Sequence, residues 1–365
     1  MAKRDNIYYW KCDRPSVFHA IDGKTEVDTE SIKQEAVALL TDFFKSDDFE
    51  LMYGNGQGNH LTFKARRQQK NYFIRIENGT EGDENMEIEA EVMKRVQALG
   101  ISTPHIYVVD SSRVSYPFAY QIMECLEFLD LNEIYKENKL DVFQIMQTLG
   151  EYIARWQKLT FEGFGPFNVN SFRQKGELIG HHNRYADYYM LNLEKHLHFL
   201  VEHHFIDKDQ QKDIHQEILK HECLLDLSHG SLVHKDIAFW NVMGTANSIL
   251  SIIDWDDAIS GDPTDDISLM ACFHSTKEIN AIMDGYQTVN PLPDNFIPRF
   301  WLHLLRNMIV KAVIRVGAGY FNKKNQNFYL FNSHNGSGVA FRDFTVTRLN
   351  KALEGLKGCK EKIEL

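Results

Sequence analysis

Leu232-Val233-His234-Lys235-Asp236-Ile237-Ala238-Phe239-Trp240-Asn241-Val242-Met243 is the stretch whose reading decides the fold. A second apolar run, Ile249-Leu250-Ser251-Ile252-Ile253, follows and ends on Asp254-Trp255-Asp256-Asp257. Apolar β-formers flank the polar loop on both sides, Leu232-Val233 before it and Val242-Met243 after it. A β-hairpin built from these runs would carry Asp236, Asn241 and Asp254 together. Gly261-Asp262-Pro263-Thr264-Asp265-Asp266-Ile267 then reads as a turn opening a helix.

His234-x-Asp236, four further residues and Asn241 reproduce the spacing of a phosphoryl-transfer loop, H-R-D-x-x-x-x-N. Asp254 stands at the end of a strand, as the D-F-G aspartate does. A hydroxyl attacking the terminal phosphate of ATP needs an acceptor for its proton, and Asp236 can orient it and take that proton. The triphosphate brings Mg²⁺, a hard cation that prefers oxygen; Asn241 offers a neutral oxygen and Asp254 a charged one. Three matched residues also occur in ordinary surface loops with an Asn cap. The flanking strands, Asp254 and the following turn together select the phosphoryl-transfer reading.

Segment 229–270 resembles the aminoglycoside phosphotransferase / choline kinase superfamily, whose signature runs H-G-D-x-x-x-x-N, I-D-W-x-x-A and G-D-P-x-x-D. The chain has His234-Lys235-Asp236, Ile253-Asp254-Trp255-Asp256-Asp257-Ala258 and Gly261-Asp262-Pro263-Thr264-Asp265-Asp266, with Lys235 where glycine is usual. The resemblance spans about 50–340 and thins beyond 275. It implies a two-lobed, protein-kinase-like α+β fold with an antiparallel-sheet N-lobe and a mainly helical C-lobe. The implied boundaries are 1–122 for the nucleotide-binding lobe, 123–127 for a hinge and 128–365 for the catalytic and substrate-binding lobe. It further implies ATP and Mg²⁺ as cofactors and a small-molecule hydroxyl as acceptor. In that family Asp266, the last acid of its motif, supports the catalytic loop.

The chain has 365 residues, 43% hydrophobic and 25% charged, within the ordinary range of a globular protein of about two domains. A net charge of −11 argues against nucleic acid as the main partner. The five cysteines are scattered without C-x-x-C spacing, so a reducing, cytoplasmic setting is expected. No apolar run approaches the roughly 20 residues of a membrane span, and no signal peptide is visible. Oligomeric state leaves no trace.

Upstream, two strands enclose Gly54-Asn55-Gly56-Gln57-Gly58-Asn59-His60. Gly54, Gly56 and Gly58 suit a loop whose backbone N–H groups approach phosphate, although most such turns are plain hairpins. On the next strand, Asn71 to Ile76, Arg75 stands where a kinase places its phosphate-contacting lysine. The helix Met86 to Leu99 offers Glu89 and Glu91 as its acidic partner, and the family pattern E-A-x-V-L selects Glu89. Pro117 to Glu124 resembles the strand entering the hinge, which assigns Met123 and Glu124 to the adenine edge.

Downstream, Phe143, Met146, Leu149, Ile153, Trp156 and Leu159 recur at helical spacing. A helical region over roughly 183–226 is rich in histidine without H-E-x-x-H, and reads as a solvated face. Lys277–Gly285 and Phe300–Val316 read as helices, 320–338 as loop, and Arg348–Lys362 as a basic helix end. Residues 1–27 are weakly periodic, with Tyr8, Tyr9 and Trp10 expected to pack on a neighbouring domain. Asp262 reads as a helix cap, leaving Asp256 and Asp257 as a free pair suited to a cationic acceptor such as an amino-sugar or amino alcohol. The alternative is a nucleotide-binding pseudokinase or scaffold of the same fold.

Overall fold

The computed structural model describes residues 4–13, 29–54, 60–77, 79, 82–324 and 337–365. An N-terminal helical turn α1 (Trp10–Asp13) precedes α2 (Thr29–Phe44), strands β1 (Glu50–Tyr53), β2 (Leu61–Arg67) and β3 (Lys70–Glu77), α3 (Met86–Ala98), β4 (Ile106–Asp110) and β5 (Ala119–Glu124). These strands form one antiparallel sheet in the order β1-β2-β3-β5-β4. Side chains alternate across it. Phe63, Ala65, Ile74, Ile76 and Ile122 face α2 and make a small core with Ala36, Leu39, Leu40 and Phe44. The alternate positions Thr62, Arg75 and Gln121 are paired in register, Thr62↔Arg75 and Arg75↔Gln121, on the opposite face.

The remaining chain is mainly helical. It runs through β6 (Leu129–Asp130), α4 (Leu131–Lys136), α5 (Val142–Trp156), β7 (Thr160–Phe161), β8 (Phe164–Phe167), α6 (Val169–Lys175) and β9 (Gly180–His182). Then come α7 (Tyr185–Tyr189), α8 (Leu193–Glu202), α9 (Lys208–Lys220), β10 (Gly230–Val233), β11 (Val242–Gly244), β12 (Ile249–Ile252) and β13 (Ile259–Gly261). Four helices close it: α10 (Asp265–Met270), α11 (Thr276–Gln287), α12 (Phe296–Gly317) and α13 (Gly338–Lys357).

Two packing decisions place the site. Helices α5 and α11 approach backbone to backbone: a Cβ on Gly150 would lie 2.0 Å from the Ile282 carbonyl oxygen, and one on Gly285 1.9 Å from that of Gln147. Any larger residue there would push α5 away from the strands it supports. Helix α12 is buried almost all round from Phe300 to Arg315, as expected of an internal helix that is apolar on every face. Of its five buried polar residues, His303, Asn307, Lys311 and Arg315 recur every four residues and so share one face, and Arg306 is the fifth.

Several expectations change. Residues 4–13, grouped by sequence position with the small lobe, pack on the large one: Tyr8, Tyr9 and Cys12 join its core. The helical region over 183–226 is three helices, interrupted at Asn192 and His204, both with positive φ. His196 is not solvated; it is fully buried and paired with Asp13. Phe143 lies exposed at the start of α5, off the buried stripe. Helix α13 begins at Gly338, earlier than the basic stretch indicates. Residues 325–336 of the expected loop lie outside the described residues. No described helix is long and apolar enough to cross a membrane.

Candidate active site

The loop joining β10 to β11 is held by its neighbours. β10 pairs antiparallel with β13 and β11 with β12, so Asp236, Asn241 and Asp254 converge from two hairpin-like pairings. Asp266, at the start of α10, accepts the N–H groups of His234 and Lys235 on its two oxygens, each at 3.0 Å. Trp156 Nε1 adds a third bond at 3.1 Å. That is the supporting role implied for Asp266. His234 Nε2 lies 3.0 Å from the Ile253 carbonyl, and its Nδ1 receives the Asp236 N–H at 3.3 Å. Those contacts suit a neutral imidazole carrying its proton on Nε2, and burial holds His234 below its usual range. The ring thereby ties the β10–β11 loop to the strand that presents Asp254.

Lys235 explains the usual glycine and the departure from it. Its φ is +68°, the left-handed region that costs a side-chain-bearing residue roughly 1–2 kcal/mol. In return its Nζ, buried, donates to Asp265 Oδ2 at 2.6 Å and to the Tyr8 hydroxyl at 3.0 Å. Asn307 of α12 donates to the other Asp265 oxygen at 2.8 Å. Lysine thus replaces a glycine's backbone freedom with a buried ion pair to α10.

Asp236 lies at the floor of the cleft between sheet and helices. Its Oδ1 accepts from the Tyr9 hydroxyl at 2.7 Å and from Lys311 Nζ at 3.2 Å. Asn241 Nδ2 donates to the Asp236 carbonyl at 2.8 Å and lies 3.3 Å from Oδ2. Burial works against the carboxylate, but Lys311 and Lys11 outweigh it and hold Asp236 below the usual carboxylate range. The group is therefore ionised near neutrality, with lone pairs left on Oδ2 for an incoming hydroxyl.

Asp254 follows β12 with φ +64°, which turns its carboxylate into the cleft. Enclosure raises it above the usual range against Arg75, and Asp236 and Asp256 add to the rise. Arg75 Nη1 contacts both Glu89 oxygens at 2.6 and 2.8 Å, and its Nη2 lies 3.6 Å from Asp254. Gln121 Nε2 also donates to Glu89 at 3.1 Å. The Arg75–Glu89 pair expected from sequence is thus formed, buried, with Arg75 reaching towards Asp254.

These groups line a cavity of about 390 Å³, within the range of small-ligand sites. Thr62, Phe73, Arg75, Glu89, Met123 and Glu124 line its sheet side, and Asp236, Asn241, Asp254 and Asp257 its loop side. Asn241 spends its amide N–H on Asp236, which leaves its oxygen available. Together with the Asp254 carboxylate that gives the hard oxygen donors Mg²⁺ requires. At the expected hinge, the Glu124 N–H is taken by the His105 carbonyl at 2.8 Å, so this amide is not available to a ligand. The Gly54 N–H closes the β1–β2 hairpin on the Thr62 carbonyl at 2.8 Å, and a Cβ there would meet Thr62 Oγ1 at 2.5 Å. Gly54 is thus needed for hairpin closure and is not a cavity residue. Gly56 and Gly58 lie outside the described residues.

The expected free pair of acids is not present. Arg4 Nη2 approaches the Asp256 oxygens at 3.1 and 3.2 Å, and Arg4 Nη1 and Asn85 Nδ2 each donate to the Asp256 carbonyl at 2.6 Å. Arg4 also pairs with Asp83, so it joins the segment before α3 to the loop after β12. Asp262 is not a helix cap: it accepts the Thr264 N–H at 2.8 Å and lies 3.1 Å from His303 Nε2.

Asp257 remains, and burial with repulsion from Asp256 pushes it up to about 7. A carboxyl raised on folding favours the native state at low pH, and that stability is lost as pH rises through the native value. With divalent metal chelated, the melting temperature of the wild type relative to that of Asp257→Asn should therefore fall between about pH 4 and pH 7. Identical pH–Tm curves for both proteins would count against the raised value.

Tyr9, Lys11, Arg4 and Lys311 were not identified from sequence. The signal for Lys311 is present in hindsight, as the third polar residue of the His303, Asn307, Lys311 series in an apolar helix. Tyr9 and Lys11 carry no such signal, because nothing local relates residues 9 and 236.

Residues 53–294, well over half of the chain, match the family model described as "Phosphotransferase enzyme family". No curated protein matches the sequence. Among solved structures, aminoglycoside phosphotransferase APH(4)-Ia is similar at 14% identity, with 88% of this chain and 99% of that one covered and a TM-score of 0.58. A thermostable mutant of it, in ternary complex with AMP-PNP and hygromycin B, reaches 16% identity and a TM-score of 0.60 over 88% and 98%. A candidate fructosamine-3-kinase from Haemophilus somnus 129PT is 16% identical, with 88% and 97% covered and a TM-score of 0.55. At such identities the likeness is one of fold, and the fold is the two-lobed, kinase-like α+β architecture expected from the sequence.

Proposed function

The chain belongs to the phosphotransferase enzyme family, and from that premise we propose that it transfers the terminal phosphoryl group of ATP to a hydroxyl of a small molecule. The carrying observation is Asp236: a carboxylate held in its charged form by Lys311 and Lys11, in the same cavity as Asn241, Asp254 and the Arg75–Glu89 pair.

In this reading the acceptor hydroxyl donates to Asp236, its oxygen attacks the terminal phosphorus in line, and the bond to the ADP oxygen breaks. The proton passes to Asp236. Such a transition state asks the protein mainly for position and charge neutralisation. Asn241 and Asp254 would hold Mg²⁺, which supplies neutralisation of the phosphate oxygens. Arg75, steadied by Glu89, orients the phosphates from the sheet, and Thr62 and Phe73 wall the nucleotide side. Solved structures of similar fold that hold AMP-PNP support ATP as the donor.

The amino-sugar or amino-alcohol preference rested on Asp256 and Asp257 being free together. Arg4 occupies Asp256, and Asp257 is only partly ionised near neutrality, so the acceptor is stated as a hydroxyl compound without a charge class. ATP consumption over a panel of amino-sugars, amino alcohols and sugars, with Mg²⁺, tests the reading. Turnover with a member of the panel that disappears in Asp236→Ala supports it. Nucleotide binding with no turnover of any panel member favours the pseudokinase alternative.

Asp254→Ala should weaken Mg²⁺-dependent ADP binding by at least about tenfold, the loss that even an outer-shell partner of a metal can cause. Asn241→Ala should be partly restored by raising Mg²⁺. Unchanged Mg²⁺ titrations in both variants would contradict the assignment of these oxygens.

A further inference from the structure

The segment Arg4–Asp13 is anchored over the β10–β11 loop by polar contacts along its length, most of them buried. Asp13 Oδ1 lies 2.9 Å from His196 Nε2, and its Oδ2 accepts the N–H groups of Tyr8 and Tyr9 at 3.2 and 3.3 Å. The Tyr188 hydroxyl donates to the Tyr8 carbonyl at 2.8 Å, and Asn192 to that of Asn6 at 3.0 Å. Arg306 stacks 3.7 Å from the Tyr8 ring centroid. Buried polar groups are costly unless paired, so a segment with this many matched partners has one position.

That position sets two side chains on the reaction. Tyr9 delivers its hydroxyl to Asp236. Lys11, on the turn α1 that follows, lines the same cavity as Asp236, Asn241, Asp254 and Asp257. Lys11 differs from most other cations around the site; Lys64, which also lines the cavity, lies on β2 within the sheet. Arg4, Arg75, Lys235 and Lys311 each contact a carboxylate, at Asp256, Glu89, Asp265 and Asp236. Lys11 makes no hydrogen bond or ion pair among the described residues, although it is half-buried. Burial works against its charge, but Asp236, Asp254 and Asp257 more than offset it and keep Lys11 protonated. It is a charged ammonium on the wall of the cavity that the proton acceptor and the proposed metal-holding oxygens also line.

We propose that Lys11 binds the terminal phosphate of the bound nucleoside triphosphate and neutralises the phosphoryl group as it passes to the acceptor. The proposal rests on the phosphotransferase reading. Negative charge on the transferred group spreads over three oxygens, and Arg75 is already committed to Glu89 and lies near Asp254. On the Asp236 side Lys311 is taken up by Asp236 itself, whereas no described carboxylate contacts Lys11. An ammonium on a flexible stem with three rotatable donors can follow a moving phosphoryl group, as a rigid guanidinium fork cannot. The chain then completes its active site with a residue placed before its nucleotide-binding sheet.

The test needs no acceptor. Mg²⁺–AMP-PNP and Mg²⁺–ADP are titrated by calorimetry into the full-length protein and its Lys11→Met, Lys11→Gln and Lys11→Arg variants. Thermal melts without nucleotide confirm that each is folded. Lys11→Met and Lys11→Gln should lose about tenfold or more in AMP-PNP affinity, as for one charge-assisted contact, and less than about twofold in ADP affinity. Lys11→Arg should recover most of the AMP-PNP affinity. Equal losses on both nucleotides, or no loss on AMP-PNP, overturn the proposal while leaving the phosphotransferase reading in place. A wild-type protein that binds neither nucleotide overturns that reading and the proposal with it.

Discussion

Asp236→Asn is expected to lower kcat by about 10²–10⁴-fold, the usual worth of a positioned proton acceptor, while Mg²⁺–ADP affinity stays within about twofold. The substitution keeps the size of the side chain and can still accept from Tyr9. In the proposed mechanism it removes the charge that orients the acceptor hydroxyl and the capacity to take its proton. Lys311 would lose its anion, so folding must be checked by a thermal melt before the kinetics are read. A folded Asp236→Asn protein turning over at the wild-type rate would remove Asp236 from the mechanism. An equal loss in kcat and ADP affinity would instead describe a collapsed loop.

Lys235→Met is expected to cost about 3–5 kcal/mol of stability, the penalty for leaving one member of a buried ion pair uncompensated. Asp265 would keep its bond from Asn307 and lose the ammonium at 2.6 Å. Two effects compete in Lys235→Gly. Glycine relieves the left-handed backbone by roughly 1–2 kcal/mol, yet strands the same carboxylate. The charge term is larger, so Lys235→Gly should also destabilise, by less than Lys235→Met. The double variant Lys235→Met with Asp265→Asn should regain much of the loss, because no unpaired charge remains. Urea denaturation with linear extrapolation measures all of these. A Lys235→Gly protein more stable than wild type would show that backbone strain outweighs the ion pair.

The β10–β11 loop was legible because its constraints are local. Asp236 and Asn241 sit on one loop, and their spacing follows from a single 3-10 turn, Phe239–Asn241, leading into β11. Asp254 ends β12, which pairs with β11, so its place follows from the hairpin. Asp266 was legible through its motif. Arg75 and Glu89 were legible because strand alternation puts Arg75 on the face opposite α2, where α3 passes. Gly54 closes the β1–β2 hairpin, and a glycine needed for that and one needed to approach phosphate look the same in sequence.

Charge pairing between distant segments was not legible. Asp256 and Asp257 are adjacent and chemically equal, yet one meets Arg4 and the other does not. His196 belongs to a histidine-rich run that composition assigns to solvent, yet it is buried, with Asp13 at one ring nitrogen and Arg306 at the other. Such pairings depend on where the chain's first residues dock, which no periodicity encodes.

By itself, the sequence determined the family, the β11–β12 hairpin that follows Asn241 and ends on Asp254, and the Arg75–Glu89 pair. Each of these depends on short-range spacing, which backbone geometry turns directly into position. Only the tertiary structure decided which acids remain free, which cations surround Asp236, and that Tyr9 and Lys11 belong to the site. Those outcomes depend on desolvation and on Coulomb partners brought together across more than two hundred residues, and both are properties of the packed molecule.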